Sequence, residues 1–333
     1  MKTILTPLVT LKLILKNRLV YPPMATSKAT EDGLVSEETL KFYDDITKFK
    51  NIGLVIVEHS YVSIEGKANH NQTSIASDET IEPLKKLVRV IQKNESKAIL
   101  QINHAGSAAT KEVTGQDPVG PSAVPNPRKG TTPKELSIEE IAGIIKKFAE
   151  SAKRAKLAGF DGVEIHSAHG YLLNQFLSPL SNKRKDKYGG SLQNRIKIHL
   201  EIIKEVRKAV GENYPIFLRL GASDYIKSGT TIEDSKEVAI EFEKAGIDIL
   251  DISGGFCGYI PDGVNLKVQG YFHPLSSAIK EVVNIPVIVT GGITDIISGS
   301  KLIEENKSDL VGVGRAIFKD STWSEREFKK IKK

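Results

Sequence analysis

The chain has 333 residues, of which 40% are hydrophobic and 26% are charged, and its formal net charge at pH 7 is +6. This composition predicts a globular protein with a sizeable core, and the lack of any run of about 18 apolar residues excludes a membrane-spanning helix. The single cysteine, Cys257, excludes an intrachain disulfide and a cysteine-bound iron–sulfur cluster. Lysines are scattered without interleaved aromatic residues, so nucleic acid is not an expected partner. The N-terminus lacks the features of a signal peptide, and the cytoplasm is the expected location.

Short β-branched runs alternate with longer helical segments along the whole chain. The runs predicted to be parallel strands are residues 18–21, 53–57, 98–102, 162–165, 216–220, 249–252, 287–289 and 310–313. Helical periodicity and capping residues predict helices at residues 37–49, 79–92, 137–157, 191–209, 232–244, 274–283 and 295–305. Eight such units favour one α/β domain over residues 1–333, a closed (β/α)₈ or TIM barrel, with an open doubly wound sheet as the alternative.

Two irregular stretches are longer than ordinary connections. Residues 103–133, after the third predicted strand, are rich in Gly, Pro, Thr and Ser, and residues 178–190, after the fourth, are polar and basic. Structureless loops of this length inside a compact domain are usually functional. We therefore expect both to be loops that cover the site.

Two histidines and a tyrosine follow the fourth predicted strand. His166, His169 and Tyr171 emerge where that strand ends and a loop begins, which is where α/β barrels place their catalytic groups. A neutral imidazole donates one hydrogen bond, so two of them can stabilise an oxygen that gains negative charge, and a phenol can supply a proton. A zinc-binding pair and ordinary polar loop residues are the alternatives for this pattern.

Glycines follow the last two predicted strands. Gly291 and Gly292 come after the seventh, and Gly314 and Arg315 come after the eighth. Barrels often bind phosphate at these two loops, because glycines let backbone N–H groups approach the oxygens and an arginine adds a bidentate partner. The pattern favours a phosphorylated ligand over glycines that only turn the chain.

Two further polar residues lie at strand ends. Gln101 offers an amide that both donates and accepts, and Arg219 closes an apolar strand. An amide of this kind suits a ring edge on which N–H and C=O groups alternate. Together with the phosphate site, these residues indicate a planar heterocycle that is held over the barrel by its phosphate.

Short motifs along the barrel occur in a specific combination: NRLV at 17–20, PM at 23–24, HAG at 104–106, AGFDGVEIH at 158–166, QFLSP at 175–179, YGGS at 188–191, GGI at 291–293 and GR at 314–315. With this combination the chain resembles the Old Yellow Enzyme family of FMN-dependent NAD(P)H:flavin oxidoreductases. The resemblance implies a (β/α)₈ barrel that binds FMN noncovalently at the carboxyl ends of its strands. It also implies NADH or NADPH as the reductant.

The resemblance implies roles for two groups of residues. Those that would hold FMN are Pro23, Met24, Ala25, Gln101 and Arg219 at the ring system and Gly291, Gly292, Gly314 and Arg315 at the phosphate. At the substrate, His166 and His169 would bind the oxygen of an activated alkene, an α,β-unsaturated carbonyl or nitro compound, and Tyr171 would protonate its α-carbon. Hydride would pass from the nicotinamide to flavin N5 and then to the β-carbon.

The sequence also departs from the family pattern. Ala25 stands where relatives usually have Cys or Thr beside the flavin, and Ser107 stands where an arginine is common. Two other readings stay open at this point: a phosphate-binding barrel lyase, isomerase or metal-assisted hydrolase that uses His166 and His169, and a flavin-binding protein with little turnover. A homo-oligomer is expected on family analogy alone.

Overall fold

The computed structural model describes residues 2–127 and 129–331 of the chain. Its eight central strands are β1 (Leu19–Tyr21), β2 (Leu54–Tyr61), β3 (Lys97–Asn103), β4 (Gly162–Ser167), β5 (Ile216–Gly221), β6 (Ile249–Ser253), β7 (Val287–Val289) and β8 (Leu310–Gly312). They are parallel and follow one another in chain order around a closed barrel, with β8 pairing back onto β1. The predicted (β/α)₈ barrel is therefore confirmed, and the open sheet is wrong.

Helices surround the barrel at Glu37–Thr47, Ile81–Lys93, Ile138–Leu157, Lys197–Val210, Ile232–Lys244, His273–Lys280, Ile296–Glu304 and Trp323–Ile331. The predicted capping box is present, since the Ser137 hydroxyl accepts from the Glu140 backbone N–H at 3.2 Å. The predicted helix at residues 191–209 is interrupted at Ile196, which leaves Leu192–Arg195 as a separate turn. No described helix is long and apolar enough to cross a membrane.

Several shorter elements were not predicted from the sequence. They are the helices Lys111–Thr114, Leu172–Leu177 and Arg315–Lys319, and the 3₁₀ turns Ile64–Gly66 and Gly106–Ala108. The helix Trp323–Ile331 was not predicted either. One or two turns show little periodicity, which is why the hydrophobic pattern did not reveal the shortest of these elements.

Side chains alternate between two environments along the barrel strands. In β2, Leu54 and Ile56 belong to a cluster inside the barrel, whereas Val55 and Val57 pack in the larger core between barrel and helices. The inner cluster also contains residues from six of the seven other strands, all except β4, namely Val20, Ile99, Phe217, Ile249, Ile288 and Leu310. These residues fill the amino-terminal end of the barrel.

An N-terminal hairpin closes that end. Leu8–Val9 pairs antiparallel with Ile14–Leu15, and Leu8, Leu13 and Leu15 join the inner cluster. The barrel is therefore open only at the carboxyl ends of its strands, where ligands bind in folds of this kind.

The two long connections after β3 and β4 contact each other. Within the first, Val119–Gly120 pairs in parallel with Lys134–Glu135. Arg184, from the second, donates to the carbonyl oxygens of Pro121 at 2.8 Å and Leu136 at 2.6 Å. Its guanidinium also forms a 2.6 Å ion pair with Asp186. The connections after β3 and β4 are therefore held together by this buried arginine.

Candidate active site

A cavity of 610 Å³ lies at the carboxyl ends of the barrel strands. All the residues predicted to bind cofactor or substrate line it: Pro23, Met24, Ala25, Gln101, His166, His169, Tyr171, Arg219, Gly291, Gly292, Gly314 and Arg315. Residues that the sequence analysis did not assign, including His59, Ser253 and Tyr271, line it as well. The fold thus gathers the predicted residues around a single space.

Strand β4 and the turn after it bring two imidazoles and a phenol together. The ring centres of His166 and His169 are 5.2 Å apart, and those of His166 and Tyr171 are 5.1 Å apart, both in edge-to-face orientation. His169 has a left-handed backbone with φ of 60°, and its Nε2 lies 2.7 Å from the Ser253 hydroxyl. The tight turn therefore places three polar rings side by side within six consecutive residues.

Burial keeps His166 neutral. The pKa of its imidazole is well below the usual value, chiefly because the ring is desolvated and also because His169, Arg219 and His59 lie nearby. A neutral imidazole carries one N–H and donates one hydrogen bond. His166 can therefore donate to a ligand oxygen at neutral pH without bringing a charge into the cavity.

A buried polar layer lies below the histidines, on the inward faces of β3 to β6. The Gln101 amide donates to Glu164 at 2.7 Å, and the Arg219 guanidinium lies 3.3 Å from Asp251. Burial raises the pKa of Asp251 to about 6, against the opposing effect of Arg219. Burial and then the nearby Asp251 charge raise the pKa of Glu164 well above its ordinary value. The carboxyl groups of Glu164 and Asp251 lie near a single guanidinium, that of Arg219. One positive charge cannot balance two buried negative charges, so one of the two carboxyl groups keeps its proton.

The segment after β1 is held by a carboxyl group from β2. Glu58 accepts from the Thr26 backbone N–H and from the Thr26 hydroxyl, both at 2.6 Å. Burial raises the pKa of Glu58 to about 7, although these bonds oppose the shift. The Thr26 side chain is thus turned toward Glu58, and Ala25 presents only a methyl group to the cavity.

The glycines after β7 and β8 leave room beside Tyr271 and Met24. Gly291 and Gly292 have φ of 109° and 68°, and a Cβ atom at these positions would lie 2.9 and 2.8 Å from the Tyr271 ring. A Cβ atom at Gly314 would lie 2.8 Å from the Met24 sulfur. This crowding explains why positions 291, 292 and 314 are glycine.

The end of the cavity that contains these glycines also has a positive charge. Arg315 is exposed at the rim and donates to the Tyr271 hydroxyl at 3.1 Å. Its positive charge lies beside glycine backbone whose N–H groups no side chain covers. A phosphate group can therefore contact both the backbone N–H groups and the guanidinium. The opposite end of the cavity has the amide, guanidinium and imidazoles that suit a planar ring, so these residues fit a phosphorylated flavin.

A family model described as the NADH:flavin oxidoreductase / NADH oxidase family matches residues 3–333. The chain belongs to this family. It is 41% identical to an NADH oxidase of Thermoanaerobacter brockii over 94% of this chain and 49% of that protein. It is 40% identical to an NADPH dehydrogenase of Clostridium acetobutylicum over 92% of this chain and 88% of that protein.

A solved 2-naphthoyl-CoA reductase, in complex with 2-naphthoyl-CoA, has the same fold. It matches 98% of this chain with a TM-score of 0.93 at 28% identity, and the match covers 52% of that protein. The chain thus spans about half the length of both this reductase and the T. brockii NADH oxidase. A solved Old Yellow Enzyme homologue of Zymomonas mobilis has the same fold over 98% of this chain, with a TM-score of 0.85 at 24% identity. The Old Yellow Enzyme resemblance is confirmed, and the family is one of flavin oxidoreductases that use FMN with NADH or NADPH as the reductant.

Three inward-facing residues of this chain were not assigned a role in the sequence analysis. Glu164 and Asp251 lie two residues before His166 and Ser253 on their strands, so strict alternation was a signal that could have placed them inside the barrel. His59 stands at the end of β2, beside Glu58. Its position depends on an irregularity in strand pairing that no local sequence pattern reveals.

Proposed function

We propose that this protein is an FMN-dependent ene-reductase that uses NADH or NADPH to reduce the carbon–carbon double bond of an activated alkene. The substrate class is α,β-unsaturated carbonyl and nitro compounds. The observation that supports this most directly is the group of His166, His169 and Tyr171 in the same cavity as the glycine-lined, arginine-bearing end. An enzyme that draws on NAD(P)H also fits a cytoplasmic location.

The residues proposed to hold FMN lie at two ends of the cavity. When bound, FMN supplies hydride transfer between the nicotinamide and the alkene. Its ring system would contact Pro23, Met24, Ala25, Gln101 and Arg219, and its phosphate would contact Gly291, Gly292, Gly314 and Arg315. Gln101 is oriented by its bond to Glu164, and Arg219 is oriented by Asp251. The buried polar layer thereby fixes Gln101 and Arg219, the two side chains that would form hydrogen bonds with the edge of the flavin ring.

The histidines would act on the oxygen of the substrate. Hydride addition to the β-carbon moves negative charge onto that oxygen, so donors aimed at it stabilise the transition state more than the ground state. One donor in an oxyanion hole contributes about 2.7–4 kcal/mol. His166 is suited to this task because it is neutral and already desolvated, and the Ser253 hydroxyl holds His169 in place.

Tyr171 would complete the reaction by protonating the α-carbon. A phenol has a reference pKa of about 10 and stays protonated at neutral pH, so it can serve as a general acid. Its ring is packed against His166 on one side and against His59 on the other, at 5.1 and 5.4 Å between ring centres. These contacts hold the Tyr171 ring, and with it the hydroxyl group, in one orientation beside the histidines that would bind the substrate oxygen.

The metal-dependent alternative has no structural support. Among residues 2–127 and 129–331, no group of three or more His, Cys, Asp or Glu side chains is arranged to hold a metal ion. The other alternative, a flavin-binding protein with little turnover, is distinguished from an ene-reductase by measuring enone-dependent oxidation of NADH or NADPH.

The purified protein should be yellow, with a flavin absorbance spectrum, and should release FMN on denaturation. Addition of NADPH or NADH with cyclohexenone under anaerobic conditions should give enone-dependent oxidation of the nicotinamide and the saturated ketone as product. A colourless protein that does not take up FMN would contradict the proposal. Bound FMN with no enone-dependent oxidation would instead favour the low-turnover reading.

A further inference from the structure

The end of β2 contains an irregularity that points at the active-site cavity. Val57 pairs with Leu100, but the next pair along the ladder is Ser60 with Ile102. Three residues of β2 therefore advance against two of β3, and the extra residue is accommodated at Glu58 and His59. Bulges of this kind bend a strand and reorient its side chains, and they are common beside active sites. Here the bulge directs Glu58 to Thr26 and His59 to the cavity.

The protonated nitrogen of His59 is set by Gln72. The Ala68 backbone N–H donates to Gln72 Oε1 at 2.6 Å, which fixes the orientation of the Gln72 amide. Gln72 Nε2 then faces His59 and lies 3.0 Å from its carbonyl oxygen and 2.8 Å from its Nδ1. Since that amide nitrogen can only donate, Nδ1 must accept, and the single proton of a neutral ring is on Nε2.

The surroundings keep the His59 imidazole neutral and hold its ring in place. Burial, together with the charge of Arg219, lowers the pKa of His59 to about 4. The segment that carries Gln72 is attached to the end of β2, because the Tyr61 backbone N–H donates to Thr73 at 3.0 Å. The His59 ring is stacked on Tyr171 at 5.4 Å, and its centre is 6.3 Å from that of His166.

We propose that His59 is a third N–H donor of the substrate site, and that the site prefers alkenes which carry a second oxygen function, such as cyclic ene-diones. This proposal rests on the proposed ene-reductase function and narrows its substrate class. The first oxygen would bind to His166 and His169, and the second would accept from His59 Nε2. The overall reaction is unchanged: NAD(P)H, a proton and the ene-dione give NAD(P)⁺ and the saturated dione.

A second oxygen follows from the chemistry of the three rings. Within the described part of the chain, the side-chain hydrogen bonds of His59 all fall on Nδ1, and Nε2 lies on the opposite edge of a ring that lines the cavity. His59 is 7% exposed and lines the cavity, so a ligand that displaces water from the cavity leaves the Nε2 N–H in need of an acceptor, and a donor buried without one is costly. A ligand with one oxygen provides an acceptor for His166 and His169 only, whereas a ligand with two oxygens provides one for His59 as well.

The first test is binding, which does not require turnover. Hydroquinone and phenol differ by one hydroxyl oxygen, and their dissociation constants can be measured by calorimetry on the holoenzyme. We expect the wild type to bind hydroquinone more tightly than phenol and His59→Phe to reduce this preference about tenfold, the equivalent of about 1.4 kcal/mol. His59→Phe keeps a ring against Tyr171 but removes the Nε2 donor together with the Nδ1 acceptor of Gln72. His70→Phe, at an exposed histidine, should leave the preference unchanged.

The second test is turnover of ketoisophorone, a cyclohexene with two carbonyl groups, against cyclohexenone, which has one. His59→Phe should lower kcat/KM for ketoisophorone about tenfold more than for cyclohexenone, and His59→Gln, which retains a donor, should recover part of the difference. An equal loss on both substrates, with an unchanged hydroquinone preference, would overturn the proposal. If neither enone is reduced by the wild type, the proposed function fails, and the binding test still decides the role of His59.

The third measurement examines the nitrogen that carries the proton. Nitrogen-15 NMR of the holoenzyme should show a neutral His59 ring protonated at Nε2. Gln72→Leu removes the amide that donates to Nδ1 and should give a mixture of tautomers together with a weaker hydroquinone preference. A ring protonated at Nδ1 in the wild type would contradict the assignment. This readout remains available even if His59→Phe does not fold.

Discussion

The two ends of the barrel are made from the same strands and contain opposite kinds of side chain. The amino-terminal end is filled by the apolar inner cluster and closed by the N-terminal hairpin. At the carboxyl-terminal end, the inward positions of β3 to β6 are polar or charged. The change takes one step of two residues along a strand, from Ile99 to Gln101 in β3, from Phe217 to Arg219 in β5 and from Ile249 to Asp251 in β6.

The comparison teaches that one strand can contribute to both stability and chemistry. Its amino-terminal half supplies buried apolar side chains, and its carboxyl-terminal half supplies side chains of the candidate active site. Burial of apolar side chains at the closed end lowers the free energy of the folded state. Burial of carboxyl and guanidinium groups at the open end raises it unless the groups are paired or neutral. Substitutions at the two ends should therefore affect different measurements.

The largest effect on stability is expected at the closed end, for Phe217→Ala. Phe217 is fully buried in the inner cluster, and removal of a buried phenylalanine side chain costs about 3–5 kcal/mol of unfolding free energy. Denaturant unfolding measures this loss, and the folded fraction should keep its flavin content and KM. Phe318→Ala, at a phenylalanine that is 37% exposed, should change stability by less than about 1 kcal/mol. Similar losses for both variants would break the comparison.

The largest effect on chemistry is expected for His166→Ala at the open end. Loss of one donor to the developing oxyanion should lower the rate of alkene reduction about 10²–10³-fold, while FMN stays bound and unfolding changes little. Stopped-flow measurement of the oxidative half-reaction tests this, with exposed His70→Ala as the matched control. Loss of FMN with unchanged turnover per remaining flavin would contradict the assignment.

The pH dependence of stability should report the charged layer. Burial raises the pKa of Asp251 from 3.8 to about 6, so its protonated form favours the folded state. That contribution is fully present below about pH 4 and is lost as the pH rises through about 6. At about 1.4 kcal/mol per pKa unit, the contribution of Asp251 to the unfolding free energy should fall by up to about 3 kcal/mol over this interval.

Asp251→Asn should remove this contribution and make the slope shallower than in the wild type, because the amide stays neutral throughout. Glu58 and Glu164, whose pKa values are also raised by burial, keep their contributions in both proteins. Denaturant unfolding at several pH values between about 4 and 7 measures the slope, and Asp117→Asn, at an exposed carboxylate, should leave it unchanged. A slope that is unchanged in Asp251→Asn would assign the titration to other buried carboxyl groups, such as Glu164.

Arg315→Ala should weaken FMN binding. A hydrogen bond to a charged group contributes about 1.5–3 kcal/mol, which corresponds to a roughly 10–150-fold increase in the FMN dissociation constant. Dialysis should lower the flavin content, and excess FMN should restore it. Arg326→Ala, at an exposed arginine on the last helix, should retain its flavin. An unchanged flavin content in Arg315→Ala would mean that this side chain serves only Tyr271.

The smallest effect is expected for Ala25→Thr. The new hydroxyl would be a donor beside the flavin, which stabilises the electron-rich reduced ring more than the oxidised ring. The reduction potential should therefore rise modestly, with faster reduction by NAD(P)H and slower alkene reduction. Redox titration of both proteins measures the shift. Equal potentials, with the threonine side chain beside the ring, would show that position 25 does not tune the flavin.

The sequence predicted the features that depend on short spacing. The eight strands, the capped helix at Ile138–Leu157 and the turn of His166 to Tyr171 each follow from neighbouring residues. The features that escaped prediction depend on distant pairing. The β2 bulge exists only relative to β3, and the tautomer of His59 depends on Gln72, which lies beyond the end of its strand. Likewise, Glu164 and Asp251 become a proton-holding pair only once the barrel closes around Arg219.

Barrel closure also has a consequence for synthesis on the ribosome. Leu19 of β1 pairs with Val311 of β8, so one edge of the first strand cannot be paired until nearly the whole described chain has been translated. The entropy of closing so long a loop grows only slowly with its length, but the nascent chain meanwhile exposes an unpaired strand edge, which is a site for aggregation. We therefore expect shortage of chaperones to affect the yield of this protein before it affects the activity of folded molecules.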